Sequence, residues 1–160
     1  MTDILKLAAS VMTCALILSV GLSAQLLEKK TLSLAAAKKM VDAAEVESAK
    51  NKWNMVIAIL DDGGNLIELR RMDGTQLGSI EVAQAKARSA LLFRRPTKAF
   101  ADMVKGGNTG MMALPGALPV QGGLPIEADG KVIGSIGVSG ATSEQDEQVA
   151  LAAIAALTAK

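Results

Sequence analysis

The chain reads as an α+β domain, an antiparallel sheet with helices packed on it. Two observations carry this reading. Segments with strand character come in adjacent pairs separated by turn residues: Trp53 to Leu60 with Leu66 to Met72, and Leu124 to Ala128 with Lys131 to Val138. Apolar residues at helical spacing lie outside those pairs instead of alternating singly with them. Neighbouring strands joined by short turns form antiparallel hairpins, whereas single strands alternating with helices would give a parallel sheet. At 160 residues, half of them apolar, the chain suits one domain with a sizeable core. With two Phe, one Trp and no Tyr, that core must be aliphatic.

The first segment has the pattern of a secretory signal. Lys6 precedes an apolar run from Leu7 to Leu22, interrupted only by small or weakly polar residues, and Ser23-Ala24 closes it. Cleavage is expected after Ala24, leaving residues 25–160 as one domain in the periplasm or outside the cell. Asp3 and Leu22 depart from the pattern. The run falls short of the 18 or more apolar residues of a spanning helix, so membrane attachment is expected only through an uncleaved leader. Removing Cys14 leaves a chain without thiol chemistry or disulfides.

From Ser33 to about Lys50, Leu34, Ala37, Val41 and Ala44 mark the apolar stripe of a first helix, with Lys38, Lys39, Asp42, Glu45 and Glu47 around it. Trp53 to Leu60 reads as a strand buried on both faces. Asp61 to Asn65 turns the chain into a second strand, where Ile67 and Leu69 alternate with Glu68 and Arg70. Ser79 is positioned to cap a helix whose stripe is Ile80, Ala83, Ala87 and Leu91. After Arg94-Arg95-Pro96, Thr97 is positioned to cap a short helix ending at Gly106, where a left-handed residue is expected. Gly106 to Gly116 reads as a mobile connection.

The stretch from Leu114 to Gly140 holds three of the four prolines and is dense in glycine. Asp129-Gly130 between two apolar runs is the strongest short-range hairpin signal, since a type I′ turn needs positive φ at both positions. Gly134, Gly137 and Gly140 recur every third residue, where a missing side chain lets a helix, another backbone or a ligand lie close. Thr142 and Gln145 have capping-box spacing ahead of a closing helix with the stripe Val149, Ala153, Ile154 and Leu157.

Composition excludes much chemistry. Without histidine there is no Ser-His-Asp or Cys-His site, no imidazole base and no His-ligated zinc; no metal site is expected. Seventeen Lys plus Arg against sixteen Asp plus Glu, with no basic block and few stacking side chains, speaks against nucleic acid. Asp61-Asp62 is either a carboxylate pair or a turn former beside Gly63-Gly64. The glycine triplet opens no βαβ unit, which separates it from a dinucleotide loop. Arg71 and Asp73 flank Met72 at a strand end and are placed to meet Lys86 on the next helix. That cluster is either a structural ion pair or a polarised binding or catalytic group.

The run Gly122-Gly123-Leu124-Pro125-Ile126, followed by Asp129-Gly130-Lys131-Val132-Ile133-Gly134, Ser135-Ile136-Gly137-Val138-Ser139-Gly140-Ala141 and Asp146, resembles the GlcG/HbpS-like haem-binding family. Upstream, Asp61, Gly64, Leu66, Arg71-Met72-Asp73-Gly74, Gly78-Ser79-Ile80, Lys86-Ala87 and Arg95-Pro96-Thr97 extend the likeness over nearly everything after Leu32. The C-terminal domain of PduO-type proteins is similar too. The resemblance implies a sheet of about five strands, profilin- or PAS-like, in a protein that assembles into homo-oligomers.

The resemblance also implies haem or a related tetrapyrrole as ligand, in a protein that buffers it or reports redox stress to a partner. The ligand's propionates would need Arg or Lys, for which Arg71 and Lys86 are candidates, with Gly122 and Gly123 in the wall. Iron would need an axial ligand from Met111 or Met112, or from Lys105 or Thr109. Methionine is equally a flexible packing residue, and the lack of histidine favours a loose site over a tight one. Some family members have been linked to organic acids or aromatic catabolites, which gives an enzymatic alternative centred on Lys86, Arg71 and Asp73. A third alternative is an oligomeric accessory protein with no ligand of its own.

Overall fold

The structure is a computed structural model describing residues 28–158; the leader-like segment 1–24 lies outside the described residues. Helix α1 (Leu34–Lys50) leads into strands β1 (Val56–Asp61) and β2 (Leu66–Arg71). Helices α2 (Gly78–Phe93) and α3 (Lys98–Lys105) and a 3-10 turn (Thr109–Ala113) follow. Strands β3 (Gly123–Ala128) and β4 (Lys131–Ser139) and helix α4 (Ser143–Thr158) complete the chain. The sheet is antiparallel throughout, in the order β2-β1-β4-β3, so the two hairpins meet along β1 and β4. The four strands stand beside the expectation of about five, and the α+β architecture is as read from the sequence.

Period-two alternation divides the sheet into two unlike faces. Ile57 and Ile59 of β1, paired with Val138 and Ile136 of β4, join Leu124 and Ile126 against α1 and α4, where Met40, Val41, Val149 and Ala153 close the main core. The opposite face carries Val56 and Ala58 with Ala83 of α2 above them. It is built from small residues so that α2 can lie almost on the strands. A Cβ at Gly137 would fall 2.0 Å from the Ala83 carbonyl oxygen, and one at Gly123 would fall 2.3 Å from that of Lys86. Two of the paired-glycine positions are thus filled by helix backbone rather than by ligand.

The Asp129-Gly130 turn has φ of 51° and 70°, the geometry its sequence requires, and joins Ala128 to Lys131 directly. Pro125 lies on β3, an edge strand, where proline is tolerated. Thr142 and Gln145 form the expected reciprocal cap, the Thr142 N–H donating to Gln145 Oε1 at 3.1 Å and the Gln145 N–H to Thr142 Oγ1 at 3.4 Å. Thr142→Val is expected to cost about 1 kcal/mol, read as a shift in urea midpoint at unchanged slope.

Several local expectations are corrected. Strand β1 starts at Val56, not Trp53, because Lys52 takes a left-handed φ of 59° and spends the next residues leaving α1. Ser79 does not cap α2; it is buried, and its hydroxyl meets Ser139 Oγ at 3.2 Å. Thr97 precedes α3, but its hydroxyl accepts from the Gly123 N–H at 3.0 Å, tying helix to strand instead of capping. The left-handed residue after α3 is Gly107, at φ 95°, while Gly106 is at −77°. The connection to Gly116 contains the 3-10 turn, so it has structure of its own.

Candidate functional site

Among the described residues Lys86 is the largest fully buried side chain, 1% exposed, and Asp146 is its counter-ion. Its ammonium donates to Asp146 Oδ2 at 2.6 Å and to the Val138 carbonyl at 2.9 Å. The other Asp146 oxygen accepts from the Ala141 N–H at 3.1 Å. Burial pushes the Asp146 carboxyl above its ordinary pKa, while Lys86 and the N–H groups of Ala141 and Gly140 pull it back. Gly122 covers the pair. It has φ of 115°, and a Cβ there would stand 3.0 Å from Lys86 Nζ and 2.8 Å from Asp146 Cβ. The arrangement clamps α2 to β4 and to the first turn of α4, where an acidic group also suits the helix dipole.

The sequence-predicted cluster of Arg71, Asp73 and Lys86 does not assemble. Lys86 points into the pair just described, Arg71 is exposed and donates from Nε to the Thr75 carbonyl at 3.2 Å, and Asp73 is exposed on the loop. Met111 is half-buried and Met112 exposed on the 3-10 turn, with Lys105 and Thr109 exposed nearby. Gly122 and Gly123 are buried under α2. These residues serve three separate places.

A concave site lies elsewhere, where the β1–β2 turn faces the end of α2. A cleft of about 330 Å³ is bounded by Asp62, Gly63 and Gly64 of the turn, by Arg88, Leu91, Leu92 and Arg94, and by Val132 at the start of β4. Local geometry builds it residue by residue. The Asp61 carboxylate accepts from the N–H groups of Gly63 and Asn65 at 2.9 and 2.8 Å, which fixes the turn and holds its pKa below the usual range. Gly64 has φ of 84°, and the Leu91 side chain stands 3.5 Å from where its Cβ would be. Arg94 ends α2 in a left-handed conformation, φ 50°, and so redirects the chain at the rim.

A neighbouring depression of about 500 Å³ shares Asp62, Arg94 and Val132 and adds Lys29, Lys30, Glu127, Gly130 and Lys131. The segment before α1 is laid over it by two ion pairs, Lys29 with Asp62 at 2.5 Å and Lys30 with Asp129. Lys29 holds the Asp62 carboxyl below its ordinary pKa. Cations therefore outnumber anions along the joined concavity, and half-buried Leu91 and Val132 with exposed Leu92 give it an apolar side. Such a surface suits a flat or elongated apolar molecule bearing carboxylates.

Sequence reasoning missed this cleft. Its signal was present in Arg88, Leu92 and Arg94, which fall off the buried Ala83, Ala87 and Ala90 stripe; Leu91, expected within that stripe, is only half-buried and lines the cleft instead.

Among solved structures, the chain is similar to HbpS, at TM-score 0.78 and 34% identity, covering 85% of this chain and 96% of that one. It is also similar to a PduOC:haem complex, at TM-score 0.74 and 30% identity, covering 80% and 96%. Protein GlcG of Escherichia coli K12 is 43% identical over 111 residues, which are 69% of this chain and 83% of that protein. The corrinoid adenosyltransferase PduO of Salmonella typhimurium is 33% identical, but only 35% of its length is covered, so the likeness concerns one part of that enzyme. The family described as haem degrading protein HbpS-like matches residues 32–155, and the chain belongs to it.

Proposed function

We propose that this protein binds haem or a related tetrapyrrole in the cleft between the β1–β2 turn and the end of α2, and acts as an exported carrier or buffer for it. One observation carries the reading: two guanidinium groups, Arg88 and Arg94, frame a wall of Leu91, Leu92 and Val132, which is what a planar apolar ring with propionates requires. The haem complex of the related PduOC domain supports the ligand class. Arg88 and Arg94 would hold propionates, while Leu91, Leu92 and Val132 would cover part of a ring face and keep water from it. The leader pattern ending at Ala24 supports export, and intact mass of the protein from its native host tests that part.

The test of binding is a titration of the domain with ferric haem, followed by absorbance. Saturation at a fixed stoichiometry, with a spectrum unlike haem in detergent, is the expected result. In the variant Arg88→Glu/Arg94→Glu the affinity should fall by roughly tenfold or more, since two favourable charge pairs become two repulsive ones. Equal affinity in wild type and variant would remove the cleft as the site.

A further inference from the structure

We infer that recognition at this cleft is directed at the carboxylates and the ring and is indifferent to the metal, so that metal-free porphyrins are bound about as well as haem. The inference rests on the tetrapyrrole-binding reading above and goes beyond it by naming what the site does not read. A protein that recognises haem through iron must present a lone pair, from imidazole, thiolate, thioether or phenolate, or from a hydroxyl, a carboxylate or a deprotonated amine. The chain contains no histidine and no tyrosine. Among the described residues, no methionine, cysteine, serine or threonine lines the cleft or the depression beside it.

The groups that are present cannot substitute. Guanidinium and protonated ammonium groups donate hydrogen bonds and have no lone pair for a metal. Asp62 is committed to Lys29 at 2.5 Å, and Glu127 belongs to the outer depression, not to the space between Arg88 and Arg94. Met111 and Met112, the soft donors expected from the sequence, sit on the 3-10 turn after α3 and are not part of either concavity. What remains is charge complementarity to carboxylates on an apolar plane. Those features belong to the porphyrin, not to its iron.

The experiment compares ferric haem, metal-free protoporphyrin and the dimethyl ester of protoporphyrin on the domain, by absorbance and by porphyrin fluorescence. Dissociation constants for haem and metal-free protoporphyrin are expected within about tenfold of each other, with the ester at least tenfold weaker. Added imidazole should ligate bound haem on the face turned away from Leu91, Leu92 and Val132 at concentrations that suffice for free haem, because no protein ligand has to be displaced. Haem binding a hundredfold or more tighter than metal-free protoporphyrin, with a low-spin spectrum resistant to imidazole, would overturn the inference and leave the binding function standing. Failure of both porphyrins to saturate would overturn the function and this inference together.

Discussion

Replacing Lys86 by alanine is expected to lower the unfolding free energy by about 3–5 kcal/mol, the range for breaking one partner out of a buried ion pair. Asp146 is 2% exposed, so the variant leaves a carboxylate in the interior without its cation. The sign of the pH dependence identifies the cause. Asp146 already lies above its ordinary pKa because of burial, and Lys86 opposes that rise. Without Lys86 the folded-state pKa climbs further above the unfolded value. The folded variant then binds its proton more tightly than the unfolded chain does, and the cost is complete only above the raised pKa. As pH falls from neutral towards the ordinary carboxylate value, Asp146 is protonated and the deficit of Lys86→Ala against wild type should shrink. The double variant Lys86→Met/Asp146→Leu should recover much of the loss at neutral pH. Urea unfolding at several pH values checks all three; a deficit independent of pH would show that lost packing, not the stranded carboxylate, is responsible.

Gly137→Val is expected to be comparably severe. Its Cβ would meet the Ala83 carbonyl oxygen at 2.0 Å and the Ala87 nitrogen at 2.5 Å, both backbone atoms that cannot swing aside. Helix α2 would have to lift from the sheet, at a cost of about 3 kcal/mol or more, the upper end of overpacking effects. Since α2 also carries Arg88 and Arg94, ligand binding should weaken in the same variant. Gly110→Ala is the control: its Cβ would meet only the Asn108 side chain at 3.4 Å, and its effect should stay within about 0.5 kcal/mol. Thermal and urea unfolding of the two variants side by side give the comparison.

These two positions show what could be read from the chain. The spacing of Gly134, Gly137 and Gly140 announced close approach, and the Asp129-Gly130 hairpin and the helical stripes followed from local chemistry alone. The partner of Lys86 was not legible in the same way. Asp73 is near it in sequence, but Asp146, 60 residues away, is brought to it by the pairing of β1 with β4 and the turn into α4. The cleft was harder still, because it joins three segments, each with a sufficient structural reading of its own. Asp62-Gly63-Gly64 is a turn, Arg94 is a helix end, and Val132 is an ordinary strand residue. Only the sheet order places them around one concavity. Met111 and Met112, chosen as soft donors from residue type, sit apart from it because the 3-10 turn leaves them beside α3.

The central claim is the location and character of the ligand site, and mapping backbone amide shifts on saturation with metal-free protoporphyrin tests it most directly. The account predicts that the amides of Gly63, Gly64, Leu91, Leu92, Arg94 and Val132 move most, while those around Met111 and Met112 and around the Lys86–Asp146 pair stay in place. Shifts centred on the 3-10 turn, with the β1–β2 turn and the end of α2 unaffected, would contradict it.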